Sequence, residues 1–185
     1  MVVPMLRPEV FGALASHAGD ALFETCYLHG FPKVARILRD EFGGSWDAFF
    51  ERAASADPPK HDWIELLEAY GYAACYSPDA ERPGRALLPF DVHGRLLDDV
   101  WAQWLAHDPV RMAPAHADAL RSMRRIYLDA GRGDEYYLDL GAQAFGAELD
   151  KLGVAHTLEL FEGTHARLTY RYPGAIRELV LAIEP

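Results

Sequence analysis

The sequence predicts an α/β fold, and its last sixty residues carry most of the evidence. They alternate between strand-like and helix-like segments: "RRIYLDAG" (124–131), "LGAQAFGAELDKLG" (140–153), "AHTLELFEG" (155–163) and "PGAIRELVLAI" (173–183). A strand, a helix and a second strand in succession imply parallel strands joined by a right-handed crossover. With 185 residues, 50% of them hydrophobic and 25% charged, the chain suits one globular domain with its own core.

The first half of the chain adds one strand and a mainly helical region. "FGALASHAG" (11–19) has the pattern of a short apolar strand that ends in a glycine loop. Apolar residues at helical spacing predict helices at 33–42, 45–54, 94–106 and 115–123. Ser45 is the expected N-cap of the second of these helices. The segment 55–92 is rich in Pro and Gly, which predicts a loop with one short helix near "WIELLEAYG".

Two C-terminal elements carry specific expectations about burial. In the strand 124–131, apolar residues alternate with polar neighbours, so Ile126, Leu128 and Ala130 are expected to face the core. The helix 173–183 begins with Pro173 near its first position. We expect it to bury four residues, namely Ile176, Leu179, Val180 and Ile183.

Composition excludes several classes of partner. The formal net charge is −10 and no block of Lys or Arg occurs, so nucleic acid and anionic membrane surfaces are not expected partners. Apolar runs are far shorter than a bilayer span. The N-terminus lacks a basic region and a long apolar segment, so we predict a cytoplasmic location unless a signal peptide precedes Met1.

Asp134 and His165 are the candidate catalytic residues. Each lies in a Gly-containing loop after a predicted strand, and functional loops in parallel sheets follow the carboxyl ends of the strands. The two residues are 31 positions apart (165 − 134), enough for one crossover helix and one strand. A histidine can transfer protons near neutral pH, and a loop aspartate can fix its tautomer. The alternative is that His165 caps a loop and Asp134 occupies a turn.

Other polar residues near the strand ends are weaker candidates. Asp129 competes for the acid role, but it falls at a strand position and ranks below Asp134. His17 and Asp20, in "SHAGD", follow another predicted strand and could line the same cleft. A metal site built from His17, Asp20, Asp134 and His165 is conceivable, but no HxH or HExxH spacing supports it. We therefore predict no metal and no cofactor.

The sequence contains no recognisable nucleophile for this pair. The nucleophile elbow of hydrolases, G-x-S-x-G, places a serine on a tight strand-to-helix turn, and this motif is absent. Neither cysteine lies in such a turn or beside a base.

Three stretches resemble the putative esterase family of α/β-hydrolases, which includes enterochelin-esterase-like and esterase D-like enzymes. "RPEVFGALASHAGDALFE" resembles the segment after the nucleophile helix, "IYLDAGRGDEYYL" the acid loop, and "FEGTHARLTYRY" the histidine loop. The resemblance places Asp134 at the acid position and His165 at the histidine position. It extends from the first residues to the last and is weakest across 25–115.

The resemblance implies that this chain is the C-terminal part of an α/β-hydrolase fold. Residues 1–185 would then form a single, incomplete domain, with 25–115 as a helical and loop insertion that could cap the cleft. The function implied is a serine carboxylic-ester hydrolase acting on a small-molecule ester, with the serine preceding Met1. A non-catalytic α/β-hydrolase-like binding or regulatory module is the alternative. The strand at 11–18 would expose an apolar edge, which predicts self-association.

Overall fold

The computed structural model describes residues 1–55 and 60–184, and three parallel strands form its one extended sheet. The strands are β1 (Ala13–His17), β2 (Arg125–Gly131) and β3 (Thr157–Phe161), ordered β1-β2-β3 with both pairs parallel. All three strands were predicted within two residues of these bounds. An α/β architecture with parallel strands is therefore confirmed.

Helices make up most of the rest of the described chain. They are α1 (Val2–Leu6), α2 (Phe23–Cys26), α3 (Phe31–Phe42), α4 (Trp46–Ala54), α5 (Trp63–Tyr76), α6 (Asp98–Leu105), α7 (Pro109–Met112), α8 (Ala117–Ser122), α9 (Leu138–Lys151) and α10 (Tyr172–Ile183). Short 3₁₀ helices span Ala113–His116 and Leu168–Tyr170. None of the helices in this part of the chain is long and apolar enough to cross a membrane.

The chain divides into two compact units. The strand unit comprises Met1–Cys26 and His107–Pro185, and the helical unit comprises Tyr27–Ala106. The helical unit contains α3 to α6, and the strand unit contains the sheet with the other helices. Both Asp134 and His165 belong to the strand unit.

The central strand β2 is buried on both faces. Ile126 and Leu128 pack with Phe145 and Leu149 of α9, as the predicted alternation requires. Residues from Ile126 to Gly131 are all buried, so the polar neighbours Tyr127 and Asp129 are buried together with the apolar residues. The physical reason is that β2 has a strand on each side, with α9 packed against it and α10 also in contact. A strand in this position needs a partner for each polar side chain that it buries.

The helix α10 presents an apolar side to solvent, which differs from the prediction. Ile176, Val180 and Ile183 are exposed, and Leu179 is only half-buried. The helix packs on β1 and β2 through the small Ala175, which is buried, and Arg125 on β2 pairs with Glu178 of the helix. Several large apolar residues of the helix therefore remain exposed. β1 is also an edge strand, paired within the described residues only to β2.

The helical unit has an aromatic core and departs from the prediction at two helices. Ser45 caps α4 as expected, since its Oγ accepts a hydrogen bond from the N–H of Ala48 at 3.2 Å. The helix α5 has 14 residues and is longer than predicted, while residues 56–59 of the predicted loop lie outside the described residues. The helix predicted at 94–106 begins only at Asp98, because Phe90 and Leu96 form an antiparallel bridge that keeps the preceding residues extended.

Candidate active site

Two loops at the carboxyl ends of β2 and β3 carry the candidate pair, and their backbones are in direct contact. The N–H of Gly133 donates a hydrogen bond to the carbonyl oxygen of Gly163 at 2.9 Å. A Cβ atom added to Gly131 would lie 2.5 Å from the same oxygen, closer than any side chain allows. Glycine at position 131 therefore lets the two loops approach closely enough for their side chains to meet.

Asp134 and His165 form the hydrogen-bonded pair predicted from the sequence. The Nδ1 atom of His165 lies 3.2 Å from Oδ2 of Asp134. The side chain of Asp134 is fully buried, whereas that of His165 is 41% exposed. The other oxygen of Asp134 accepts a hydrogen bond from the N–H of Tyr136 at 2.9 Å. An ionised carboxylate only accepts hydrogen bonds, so a neutral His165 paired with such a carboxylate carries its proton on Nδ1, which leaves Nε2 as an acceptor.

Two residues that follow Asp134 also hold His165, and neither was singled out from the sequence. The N–H of His165 donates to Oε2 of Glu135 at 3.1 Å, and the ring of Tyr136 lies edge-to-face with the imidazole at 5.1 Å between centroids. Hydrogen bonds from the backbone N–H groups of Glu135 and then of His165 keep the pKa of the Glu135 carboxyl below its usual value. The acid loop, residues 132–137 between β2 and α9, therefore contacts His165 at three points: the backbone N–H, the imidazole ring and Nδ1.

A second histidine–aspartate pair lies on the neighbouring strands. Nδ1 of His17, at the end of β1, is 2.7 Å from Oδ1 of Asp129 on β2, and the two residues are partners in the sheet register. The rings of His17 and Tyr172 lie 4.7 Å apart. Asp20 is half-buried in the turn after β1. The role of His17 and Asp20 in lining a cleft stays a prediction, since the hydrogen bond of the His17 ring goes to Asp129.

Asp129 belongs to a buried polar cluster that the sequence did not reveal. Besides His17, its carboxylate accepts a hydrogen bond from Nε of Arg171 at 2.9 Å and lies 3.1 Å from the hydroxyl of Tyr127. The hydroxyl of Tyr127 is also 2.9 Å from Oε2 of Glu159 on β3. Burial is the main cause, and the hydrogen bond to Glu159 the second, of a raised pKa for Tyr127. Its hydroxyl therefore stays protonated and can donate a hydrogen bond.

Exposure separates the two histidine–aspartate pairs. The side chain of His17 is 15% exposed, compared with 41% for His165. The carboxylate of Asp129 lies within hydrogen-bonding distance of the His17 ring, Arg171 and the hydroxyl of Tyr127, whereas that of Asp134 contacts the imidazole and one backbone N–H. The imidazole of His165 is therefore the more accessible of the two, and Asp129 has the larger number of polar contacts.

Neither a nucleophile nor a metal site accompanies the pair in the described part of the chain. Across residues 1–55 and 60–184, Nε2 of His165 makes no hydrogen bond to a hydroxyl or a thiol. In the same residues, no three His, Cys, Asp or Glu side chains are grouped so that they could hold a metal ion. What the strand unit offers is an oriented acid–base pair.

The chain matches no protein-family model and no curated protein. The Asp134–His165 pair and the loops around it are therefore the features from which a function can be inferred.

Proposed function

We propose that this chain carries the acid and the base of a serine carboxylic-ester hydrolase with an α/β-hydrolase fold, similar to the putative esterase family. The observation that carries the proposal is the hydrogen bond between Nδ1 of His165 and the buried carboxylate of Asp134. The serine is supplied by polypeptide outside these 185 residues.

The order and placement of the two residues support this proposal. Asp134 follows the central strand β2, and His165 follows the adjacent parallel strand β3. In α/β-hydrolases the triad residues occur in the chain order serine, acid, histidine, and they lie on loops at the carboxyl ends of the strands. The close backbone contact between Gly133 and Gly163 gives a structural reason for the pairing of these two loops.

The reaction proceeds through an acyl-enzyme. Nε2 of His165 accepts the proton of the serine hydroxyl as the serine oxygen attacks the carbonyl carbon of the ester. Asp134 stabilises the imidazolium that forms, and the imidazolium then gives the proton to the departing alcohol. Water, which gives a proton to the same nitrogen, then attacks the acyl-enzyme; the bond to the serine oxygen breaks, the carboxylic acid leaves, and the imidazolium returns the proton to the serine. Transfer of the acyl group to a second alcohol in place of water is the closest variant.

Hydrolysis of p-nitrophenyl acetate and butyrate tests the proposal in the naturally occurring polypeptide that contains these residues. His165→Ala removes the base and is expected to lower kcat/KM by about 10³-fold or more. His93→Ala, which changes an exposed histidine of the helical unit, serves as the control and should stay within about twofold of the wild type. A folded wild-type protein with no esterase activity would contradict the proposal and would favour a non-catalytic α/β-hydrolase-like module.

A further inference from the structure

We propose that Arg171 is the positioning residue of His165, because it anchors the histidine loop to the buried Asp129 of the central strand. The histidine loop consists of residues 162–171, between β3 and α10. This inference rests on the proposed function, in which His165 is the base. In this proposal Asp129 and its partner His17 form the fixed end to which Arg171 attaches the histidine loop.

The near end of the histidine loop is attached to the acid loop by backbone hydrogen bonds. The N–H of Arg132 donates to the carbonyl oxygen of Phe161 at 2.8 Å, and the N–H of Gly133 donates to that of Gly163 at 2.9 Å. Past this point the loop runs through His165 and a short 3₁₀ turn before α10 begins. The acid loop holds His165 from one side, and an attachment beyond His165 limits how far the rest of the histidine loop can move its backbone and ring.

Arg171 supplies that second attachment. Its Nε donates to Oδ2 of Asp129 at 2.9 Å, and its Nη2 donates to the hydroxyl of Tyr127 at 2.7 Å and contacts the carboxylate of Glu159. The guanidinium also lies over the ring of Phe161, with its carbon 4.8 Å from the centroid. One side chain at the end of the histidine loop thus reaches two strands of the sheet.

The chemistry of this anchor favours arginine over lysine. The planar guanidinium presents several donors in fixed directions, whereas an ammonium group is a compact point charge. Burial alone would lower the pKa of Arg171, but its hydrogen bonds to Asp129 and Glu159 outweigh that effect and raise it. The side chain of Asp129 is fully buried, and His17 contacts its other oxygen, so both carboxylate oxygens have partners.

Loss of the anchor would act on the reaction through His165. Catalytic side chains must be held to within about 0.5 Å of the productive geometry, and a displacement of about 1 Å can cost on the order of 100-fold in rate. Asp134 belongs to the acid loop and Arg171 to the far end of the histidine loop. Release of that end therefore lets the imidazole move relative to its acid while the acid stays in place.

The experiment compares R171M, R171K and R132M in the naturally occurring polypeptide. Arg132 is the matched control, since it is exposed and pairs with Glu162 of the same loop at 3.7 Å. Two quantities are measured: kcat and KM for p-nitrophenyl butyrate, and the ring ¹⁵N chemical shifts of His165, assigned by comparison with H165Q. These shifts report whether Nδ1 or Nε2 carries the proton.

R171M is expected to lower kcat at least 30-fold with KM within about threefold, and to replace the single Nδ1–H tautomer of His165 by a mixture. R171K should lie between R171M and the wild type, and R132M should match the wild type in both measurements. A folded R171M with wild-type kcat and wild-type ring shifts would overturn the inference. If R171M does not fold, the same two measurements on R171K test the inference. An R171K protein with the kcat and ring shifts of the wild type would then overturn the inference.

Failure of the proposed function would look different. In that case the wild type itself would hydrolyse no ester, while the ring shifts of His165 in R171M and R171K would still show whether Arg171 holds the imidazole. A lower melting temperature with unchanged ring shifts would show a purely structural ion pair and would also overturn the inference.

Discussion

Replacement of Asp134 by asparagine tests the acid–base pair most specifically. Asn has nearly the same shape as Asp, and its amide oxygen can still accept the hydrogen bond from the N–H of Tyr136, which is 2.9 Å long in the wild type. The free energy of unfolding should therefore fall by no more than about 1–2 kcal/mol. What the variant removes is the negative charge 3.2 Å from Nδ1 of His165.

The size of the effect follows from that distance. Two unit charges 3.2 Å apart attract by about 5 kcal/mol at an effective dielectric of about 20, and by about 1.3 kcal/mol at the dielectric of water. The side chain of His165 is 41% exposed, so the stabilisation of its imidazolium lies between these limits. Since 1.36 kcal/mol corresponds to a factor of ten, the charge alone accounts for about 10-fold to 5,000-fold in rate. An asparagine amide that donates to Nδ1 would also select the wrong tautomer, as in other triads.

The assay combines kcat for p-nitrophenyl butyrate with the ring ¹⁵N shifts of His165. D134N should lower kcat at least 100-fold and shift the proton of the neutral imidazole from Nδ1 to Nε2. E162Q, the same change of carboxylate to amide at a 91% exposed position of the histidine loop, is the control and should leave both unchanged. A D134N protein that keeps the Nδ1–H tautomer and a kcat within threefold of the wild type would refute the assignment of Asp134.

Three further predictions concern the framework of the strand unit, each read from urea unfolding. G131A should lower the free energy of unfolding by about 2 kcal/mol, because the added Cβ atom would lie 2.5 Å from the carbonyl oxygen of Gly163. G133A should lower it by less, because its Cβ atom would lie 3.2 Å from the same oxygen. Equal losses in the two variants would contradict the close approach of Gly131 to Gly163. D108A should lower the free energy of unfolding by about 3 kcal/mol or more, because the buried carboxylate of Asp108 accepts hydrogen bonds from three backbone N–H groups. A loss below about 1 kcal/mol would contradict this role of Asp108. The pKa of Glu159 is held below its ordinary value of 4.5 by hydrogen bonds, first from Tyr127 and second in size from Arg171. Ionised Glu159 therefore stabilises the fold above pH 4.5, and this contribution is lost as the pH falls through the lowered pKa. The stability difference between wild type and E159Q should therefore shrink from pH 7 to pH 3, and a constant difference would refute this.

The pattern of the sequence was sufficient for the strands and for the candidate pair. The strands were found because they are short apolar runs that end in Gly-containing turns. Asp134 and His165 were found because polar residues after consecutive parallel strands must meet at one edge of the sheet. The structure brings these two side chains within hydrogen-bonding distance.

Long-range contacts explain what the sequence did not reveal. Asp129 was set below Asp134 because it lies within a strand, and its partners His17 and Arg171 come from segments 112 and 42 residues away. One signal was available: Tyr127 and Asp129 alternate with the apolar residues Ile126, Leu128 and Ala130, which indicates polar groups in need of partners if the strand is buried on both faces.

The burial predicted for α10 failed for a related reason. Spacing identifies the apolar side of a helix, but it does not show which side packs on the sheet. Here the small Ala175 and the Arg125–Glu178 ion pair set the contact. Ile176 and Val180 are left exposed as a result.

Labelling with a fluorophosphonate shows whether His165 activates a serine, because this reagent reacts covalently with serines activated by a histidine. In the naturally occurring polypeptide that contains these residues, we expect one labelled serine, located by peptide mass spectrometry outside the 185 residues. The label should be lost in H165A and strongly reduced in D134N. A label on a serine within the 185 residues, a label that persists in H165A, or none on a folded wild-type protein would contradict the claim that Asp134 and His165 serve a serine supplied from elsewhere.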